Sequence, residues 1–328
     1  MNKITINSDI HSVEAFAPAS SANFAVGYDL IGFAIEGAGD IVKLVRRDDN
    51  AILISEIEGV EGSDRLPYDD RNVCIAIIKK FLADYQLKAG FDIYINKGIS
   101  LSSGMGGSAA SAVATITALN GFFKKPLPLS ALADYTIYAE SLISGGVYHG
   151  DNAIPSLYGG LVLIQNSKPC EMISLPTVDV KVVIVHPHIE VETREAKKLM
   201  QAPFNISEVV QQSGNLAAFI CALYRNDIEL LAHSLHDVLA EPRRSKLIIG
   251  FDHVKQAAMD HGALASSISG SGPSMFAVAR DDISAKKIAK SMVAEFTRHG
   301  LYSEYWISPL NAPGASIKNI EKKSTLSA

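Results

Sequence analysis

The chain has 328 residues, 48% of them hydrophobic and 20% charged, with a formal net charge of -5. This length exceeds what one hydrophobic core usually organises, so two domains are expected. The acidic balance, without a basic block, excludes a nucleic-acid backbone as the main partner and leaves a small molecule as the expected ligand.

Cys74, Cys170 and Cys221 are far apart and form no CxxC, so they read as reduced structural thiols rather than a disulfide framework or zinc site. The opening MNKITINSDI lacks the apolar stretch of a signal peptide, and no run of ~18 apolar residues offers a membrane span. A cytoplasmic protein without a membrane partner is the expectation.

In chain order, FDIYINKGI places Phe91, Ile93 and Ile95 on one face and Asp92, Tyr94 and Asn96 on the other, the period of a strand covered on one side. It leads into SLSSGMGGSAASAVATITALN, Ser100 to Asn120, where glycines and serines precede small apolar residues. That composition predicts backbone held close to an anion, followed by a helix buried on most sides and ended by Gly121. LSALADYTIYAESLIS predicts a second helix that stops at Gly145 and Gly146. GGLVLI and VKVVIVHP read as strands, with a domain boundary around NSKPCEMISLPTVD. From SEVVQQSGNLAAFICALY helices dominate, until SSISGSGPSMFAVA reads as strand, glycine turn, strand. The polar tail KNIEKKSTLSA is expected to fray.

The glycine loop fits three phosphate-binding schemes unequally. A P-loop needs a lysine within the motif, and none lies between Ser100 and Gly121. Gly104, Gly106 and Ala109 spell G-x-G-x-x-A, but the preceding strand alternates and the acid expected ~20 residues on is missing. The third scheme asks only for backbone amides and a helix N-terminus around a triphosphate. A plain Gly-Ser turn packing a helix on a strand is the bland alternative.

SLSSGMGGSAA, Ser100 to Ala110, resembles the ATP-binding motif P-x-x-x-G-L-G-S-S-A-A of the GHMP kinases. APASSANFAVGYDLIGFAI, Ala17 to Ile35, is similar to the substrate block of the family's homoserine kinase branch, and ISGSGPSMFAV, Ile268 to Val278, to its C-terminal glycine loop. AESLISGGVYHGDNAIPSLYGG and VETREAKKLM fall between them in the family's order. Ser100 replaces the motif's proline, Met105 its leucine and Gly107 the first of its paired serines.

The resemblance implies an α+β, two-domain fold: residues 1–165 as an ATP-binding domain like the second domain of a small-subunit ribosomal protein, and 166–328 as a ferredoxin-like domain. It implies ATP as phosphoryl donor and L-homoserine as acceptor, in a step toward threonine. Ser100, Leu101, Ser102, Ser103, Gly104, Met105, Gly106, Gly107, Ser108, Ala109 and Ala110 would hold ATP, with Asn72 of DRNVC helping to line the adenine pocket. Ser108 and Glu140 match the family's Mg²⁺ positions, and a hydroxyl with a carboxylate suits that hard ion.

Asn23, Asp29 and His149 would contact the amino acid, with Asp151 and Asn152 near the same pocket. Arg244 of EPRRSK matches the family's carboxylate-binding arginine, whose planar fork can grip both oxygens. Asp151 could be a base or an orienting acceptor, since positioning and charge neutralisation can suffice for a loose phosphoryl transfer. Arg243 reads as a solvated charge. Thr193 begins the block in which Lys197 takes the place of a family arginine; Arg194, three residues earlier, would share its helix face, so either could complete the clamp.

Two alternatives remain at this level: a related kinase with another hydroxyl acceptor, or a non-catalytic ATP- or metabolite-binding member. A homodimer is compatible with the sequence. His186, His188 and Glu190 of HPHIE have metal-like spacing but lack a fourth ligand and are broken by Pro187. His233 and His236 of HSLHD fit a polar helix face, and NIEKK a short solvated charge run.

Overall fold

The computed structural model describes residues 4–323, apart from the side chains of Thr193, Arg194 and Lys197. Among the described residues, no helix is long and apolar enough to cross a membrane.

Among the described residues, eleven strands build two sheets: β1 (Ile10–Ala22), β2 (Ile31–Arg47), β3 (Ile52–Gly59), β4 (Gly90–Lys97), β5 (Leu161–Ser167), β6 (Cys170–Ser174), β7 (Lys181–Pro187), β8 (Ala265–Ile268), β9 (Met275–Ala279), β10 (Ser303–Pro309) and β11 (Ser316–Lys322). The first sheet runs β11-β1-β2-β4-β3, with the β5–β6 hairpin on the opposite end of β2; only β3 and β4 pair in parallel. The second is antiparallel in the order β10-β7-β9-β8.

Helices α1 (Val73–Asp84), α2 (Gly107–Gly121), α3 (Leu129–Ile143) and α4 (Ala153–Tyr158) belong to the first layer. The central α2 packs on β1, β2 and the other three helices at once, and its small residues permit that crowding. Helices α5 (Thr193–Lys198), α6 (Ile206–Arg225), α7 (Ile228–Ser234), α8 (Glu241–Arg244), α9 (Phe251–Asp260) and α10 (Asp282–Arg298) complete the chain, with α10 covering β7, β9 and β10. Phe24 fuses the layers: its ring lies 4.8 Å from Phe33 of β2, 5.6 Å from Phe219 of α6 and 5.1 Å from Phe276 of β9. The α+β, two-domain architecture is the one expected.

Four local expectations change. The boundary placed at 165/166 falls inside β5, whose partner β6 stays with the first sheet, so the sheets part between Ser174 and Lys181. Gly121 does not cap α2: the helix includes it, and the glycine serves close packing instead, since a Cβ there would sit 2.8 Å from Val13 Cγ1. The segment expected to fray instead returns as β11, pairing antiparallel with β1, while Ser12 Oγ donates to Glu321 Oε2 at 2.6 Å. Its side chains are all exposed, so backbone hydrogen bonds rather than burial hold it, a source of order that composition does not reveal. Residues 324–328 of that tail lie outside the described residues. Finally, α7 ends at Ser234, so His236 is off the helix that carries His233.

Candidate active site

The alternation along β4 buries Phe91, Ile93 and Ile95 and delivers the chain to the glycine loop. Gly106, at φ +67°, caps α2 without a side-chain hydrogen bond, so the N–H groups of the first turn have no capping acceptor of their own. A Cβ on Gly106 would lie 2.2 Å from Ser20 Oγ and 3.0 Å from Asn152 Oδ1, two atoms that bond each other at 3.1 Å. Ser20 N donates to the Met105 carbonyl at 3.1 Å, fastening the loop to β1. Gly104, at φ +76°, meets the other glycine turn: its Cβ would fall 2.5 Å from the Ser269 carbonyl oxygen and 2.6 Å from that of Gly272.

Further bonds close this junction. Ser269 Oγ donates to the Gly104 carbonyl at 2.9 Å, Ser274 N to that of Ser103 at 3.1 Å, and Gly270 N to that of Ala22 at 3.2 Å. The three blocks that carried the family resemblance, far apart in the chain, thus meet backbone to backbone. Ser108 is exposed on the first turn of α2, and Ser103 is buried with its hydroxyl unpartnered among the described residues. Glu140 is half-buried on α3, which packs against α2.

The acceptor block is wound tightly. Asn23, Phe24, Ala25 and Asp29 all have left-handed φ, four of the seven such non-glycine residues among those described. Strain of this kind persists only where surroundings over-determine it. Here Gln212 Nε2 donates to the Val26 carbonyl at 3.0 Å, and Asn23 Oδ1 accepts from Asp29 N at 2.9 Å. Asp29 Oδ2 stands 3.3 Å from His149 Nδ1. Asp151 is buried just before α4, its carbonyl pressed against Gly32, where a Cβ would come within 1.8 Å.

Arg244, only 4% exposed, joins these groups. Its Nη1 donates to the Gly270 carbonyl at 3.1 Å, its Nη2 to Tyr28 Oη at 3.0 Å, and its Nε to the Ala196 carbonyl at 3.4 Å. The last bond brings α5 to the site through its backbone. Thr193 and Lys197 lie on that helix, but their side chains, with that of Arg194, are outside the described residues.

Tyr28 was not singled out from the sequence, although it sits in the same YD pair as Asp29. Its ring lies 5.0 Å from the Arg244 guanidinium carbon, and burial, reinforced by Asp29 and Asp151 against the opposing Arg244, raises the phenol's pKa. Tyr28 therefore remains a neutral hydroxyl that accepts from Arg244 and keeps its own proton to donate.

Lys97 was also missed, and here the sequence held a signal: the alternation Phe91, Ile93, Ile95 puts Lys97 on the covered face. It is 2% exposed and forms a buried ion pair with Asp40, and its Nζ donates to the Gly107 carbonyl and to Ser111 Oγ, both at 2.9 Å. Ser111 Oγ donates to Asp40 Oδ2 at 2.6 Å. A buried charge network thus grips the first residue of α2.

Other candidates resolve differently. Asn72 caps α1: its Oδ1 accepts from Cys74 N at 3.0 Å and its Nδ2 donates to the Pro67 carbonyl at 2.8 Å. These two bonds use one donor and one acceptor of the amide and fix it to its own loop. Arg243 is no solvated charge, since it donates to the Ala202 and Pro203 carbonyls at 2.9 Å each and lies 3.6 Å over the Phe204 ring. His186 is buried against Ser274 Oγ at 3.1 Å, while His188 faces Glu304 and Glu190 pairs with Arg65, so HPHIE forms no metal site.

Comparisons with known proteins agree with this geometry. The model of the GHMP kinases N terminal domain matches residues 72–160, and that of the GHMP kinases C terminal matches 219–298. The homoserine kinase of Xylella fastidiosa is 41% identical, with 94% of each chain covered. That of Chlorobaculum tepidum is 38% identical, with 93% of this chain and 98% of that one covered. The crystal structure of homoserine kinase from Cytophaga hutchinsonii superposes with a TM-score of 0.90 at 37% identity, covering 95% of this chain and 99% of that one. Mevalonate kinase from L. major in complex with R-mevalonate, at 17% identity and a TM-score of 0.67, shares the fold. With its two glycine turns packed on each other beside the Arg244 cluster, and with relatives matching over nearly its whole length, the chain belongs to the GHMP kinase family, in its homoserine kinase branch.

Proposed function

We propose that this protein transfers the γ-phosphoryl group of ATP to the side-chain hydroxyl of L-homoserine, giving O-phospho-L-homoserine on the way to threonine. The observation that carries the reading is the convergence of the Ser100–Ala110 loop, the Asn23–Asp29 turn and Arg244 on the Ser269–Gly272 turn. Uncapped amides at the start of α2, with the positive end of its dipole, suit a triphosphate. Arg244 uses three of its five N–H donors within the protein, leaving two for a carboxylate, and Tyr28 can add its hydroxyl proton. Asp29, linked to His149, and the Asn23 side chain supply the acceptors and dipole that an ammonium group needs.

Ser108 and Glu140 offer a hydroxyl and a carboxylate from two packed helices, an all-oxygen donor set that fits Mg²⁺. When bound, that ion would neutralise charge on the phosphates. Asp151 and Asn152 border the acceptor: Asn152 braces Ser20 beneath the glycine loop, and Asp151 either takes the hydroxyl proton or orients the hydroxyl for late transfer to a phosphate oxygen.

The test is a panel of hydroxyl acceptors with ATP and Mg²⁺. Turnover fastest on L-homoserine is expected; faster turnover on mevalonate or galactose would overturn the acceptor, and no turnover on any would leave a binding protein. Thermal protection by ATP but not by NAD separates the triphosphate reading of the glycine loop from a dinucleotide one.

A further inference from the structure

A cluster of ligand-bearing side chains lies outside the kinase site. His253 stands on the first turn of α9, and Glu295 and His299 lie one turn apart at the end of α10. Their ligand atoms all fall within 4.8 Å of one another, the one such grouping among the described residues. His253 Nδ1 is 3.0 Å from His299 Nε2, and the rings stack with planes 12° apart. His299 Nε2 is 3.7 Å from Glu295 Oε1.

Neighbours fix this arrangement. Arg298 Nη1 donates to Glu295 Oε2 at 2.7 Å, which occupies one oxygen and turns the other toward the histidines. Gly250, at φ +77°, lies against the His299 ring, where a Cβ would come within 2.5 Å of Cδ2. A larger residue there would displace the ring.

A hydrogen bond between the two imidazoles accounts for the first separation; the second, at 3.7 Å, is too long for a hydrogen bond from His299 to Glu295 and has the length of a loose ion pair. A cation bound at about 2.0–2.2 Å is compatible with both of these separations, and the whole group, spread over no more than 4.8 Å, would draw in slightly around it. Tetrahedral placement at such bond lengths separates ligand atoms by roughly 3.3 Å, between the two observed values. Two imidazole nitrogens and one carboxylate favour a zinc-class ion over Mg²⁺, which takes oxygen ligands.

We propose that His253, Glu295 and His299 form a binding site for a divalent transition-metal ion of the zinc class, which completes its coordination with water and ties α9 to α10. The site is separate from the Mg²⁺ position of the phosphoryl transfer.

The experiment uses the full chain, free of any affinity tag and stripped of metal by a chelator. Calorimetric titration with Zn²⁺ should show one site per chain, and Zn²⁺ should raise the melting temperature. His253→Asn, Glu295→Gln and His299→Asn should each weaken binding at least about tenfold, the loss seen when even a residue supporting a ligand is removed. None should alter the melting temperature in chelator by more than a few degrees, and all should keep kinase turnover, since none is among the residues assigned to the kinase site. Co²⁺ in place of Zn²⁺ should give the visible absorption of a low-coordinate nitrogen and oxygen site, lost in the His299→Asn variant. Absence of one-site Zn²⁺ binding, or binding that survives all three substitutions, overturns the proposal and leaves a hydrogen-bonded histidine pair.

Discussion

Asn23 and Arg244 donate to one and the same oxygen, the Gly270 carbonyl, from 3.0 and 3.1 Å, although they stand 221 positions apart in the chain. The acceptor turn of the first layer and the arginine of the second are thereby held in register by the C-terminal glycine turn. Arg244→Ala removes one of the two donors to that oxygen, the bond to Tyr28 and the expected carboxylate grip. A bond to a charged group is worth about 1.5–3 kcal/mol, so kcat/KM for homoserine should fall roughly 10- to 150-fold while the KM for ATP moves little. Arg244→Lys should not restore it, because an ammonium cannot reach Gly270, Tyr28 and a carboxylate together. On α5, Lys197→Ala should raise the homoserine KM selectively; if Arg194→Ala does so instead, the clamp lies one turn earlier.

Gly106→Ala tests the loop beneath the phosphates. The new methyl would meet Ser20 Oγ at 2.2 Å in a left-handed conformation that costs an alanine about 1–2 kcal/mol even without a clash. Thermal denaturation should show the loss of stability, and the KM for ATP should rise more than that for homoserine. Equal effects on both would mean that the substitution disturbs the whole junction.

Lys97 and Asp40 form a buried pair under the same loop. Lys97→Met leaves the Asp40 charge unpaired, a loss that typically costs about 3–5 kcal/mol, whereas the double change Lys97→Met with Asp40→Leu should be milder. Melting temperatures of the two single variants and the double variant form the cycle that checks this. In the double variant the Gly107 carbonyl loses its lysine donor, so weaker ATP binding with near-normal stability is the expected signature of a positioning role.

Ser108→Ala and Glu140→Gln should each lower turnover at limiting Mg²⁺ and shift the metal dependence to higher concentration, with the fold intact by circular dichroism. A variant that keeps both the turnover and the Mg²⁺ dependence of the parent would remove that residue from the metal position.

His186 predicts a pH effect on stability. Burial, with a small contribution from His188, holds its imidazole down to about 4 against an ordinary 6.5. Between those values the unfolded chain binds the proton and the folded chain does not, so stability falls as pH drops from 6.5 toward 4 and is fully present above 6.5. The span corresponds to about 3 kcal/mol at most. Melting curves of His186→Asn, which keeps a partner for Ser274, should be flatter over that range than those of the parent; parallel curves would assign the slope to other groups.

Local periodicity determined much of this protein in advance. The alternation in FDIYINK gave the covered face of β4, the small residues after Gly106 gave an enclosed helix, and the strand, glycine, strand pattern of SSISGSGPSMFAVA gave β8, its turn and β9. These features rest on neighbours a few positions apart, which a sequence states directly. The same alternation marked Lys97 as buried, yet its partner Asp40 lies 57 residues upstream and only the β2–β4 pairing brings them together. That Gly104 rests on Ser269 and Gly272, that Arg244 finds Tyr28, and that the exposed tail becomes β11 were likewise decided by packing of distant segments. Backbone oxygens carry most of these contacts, and because every residue has one, no residue type announces which of them a glycine or an arginine will meet.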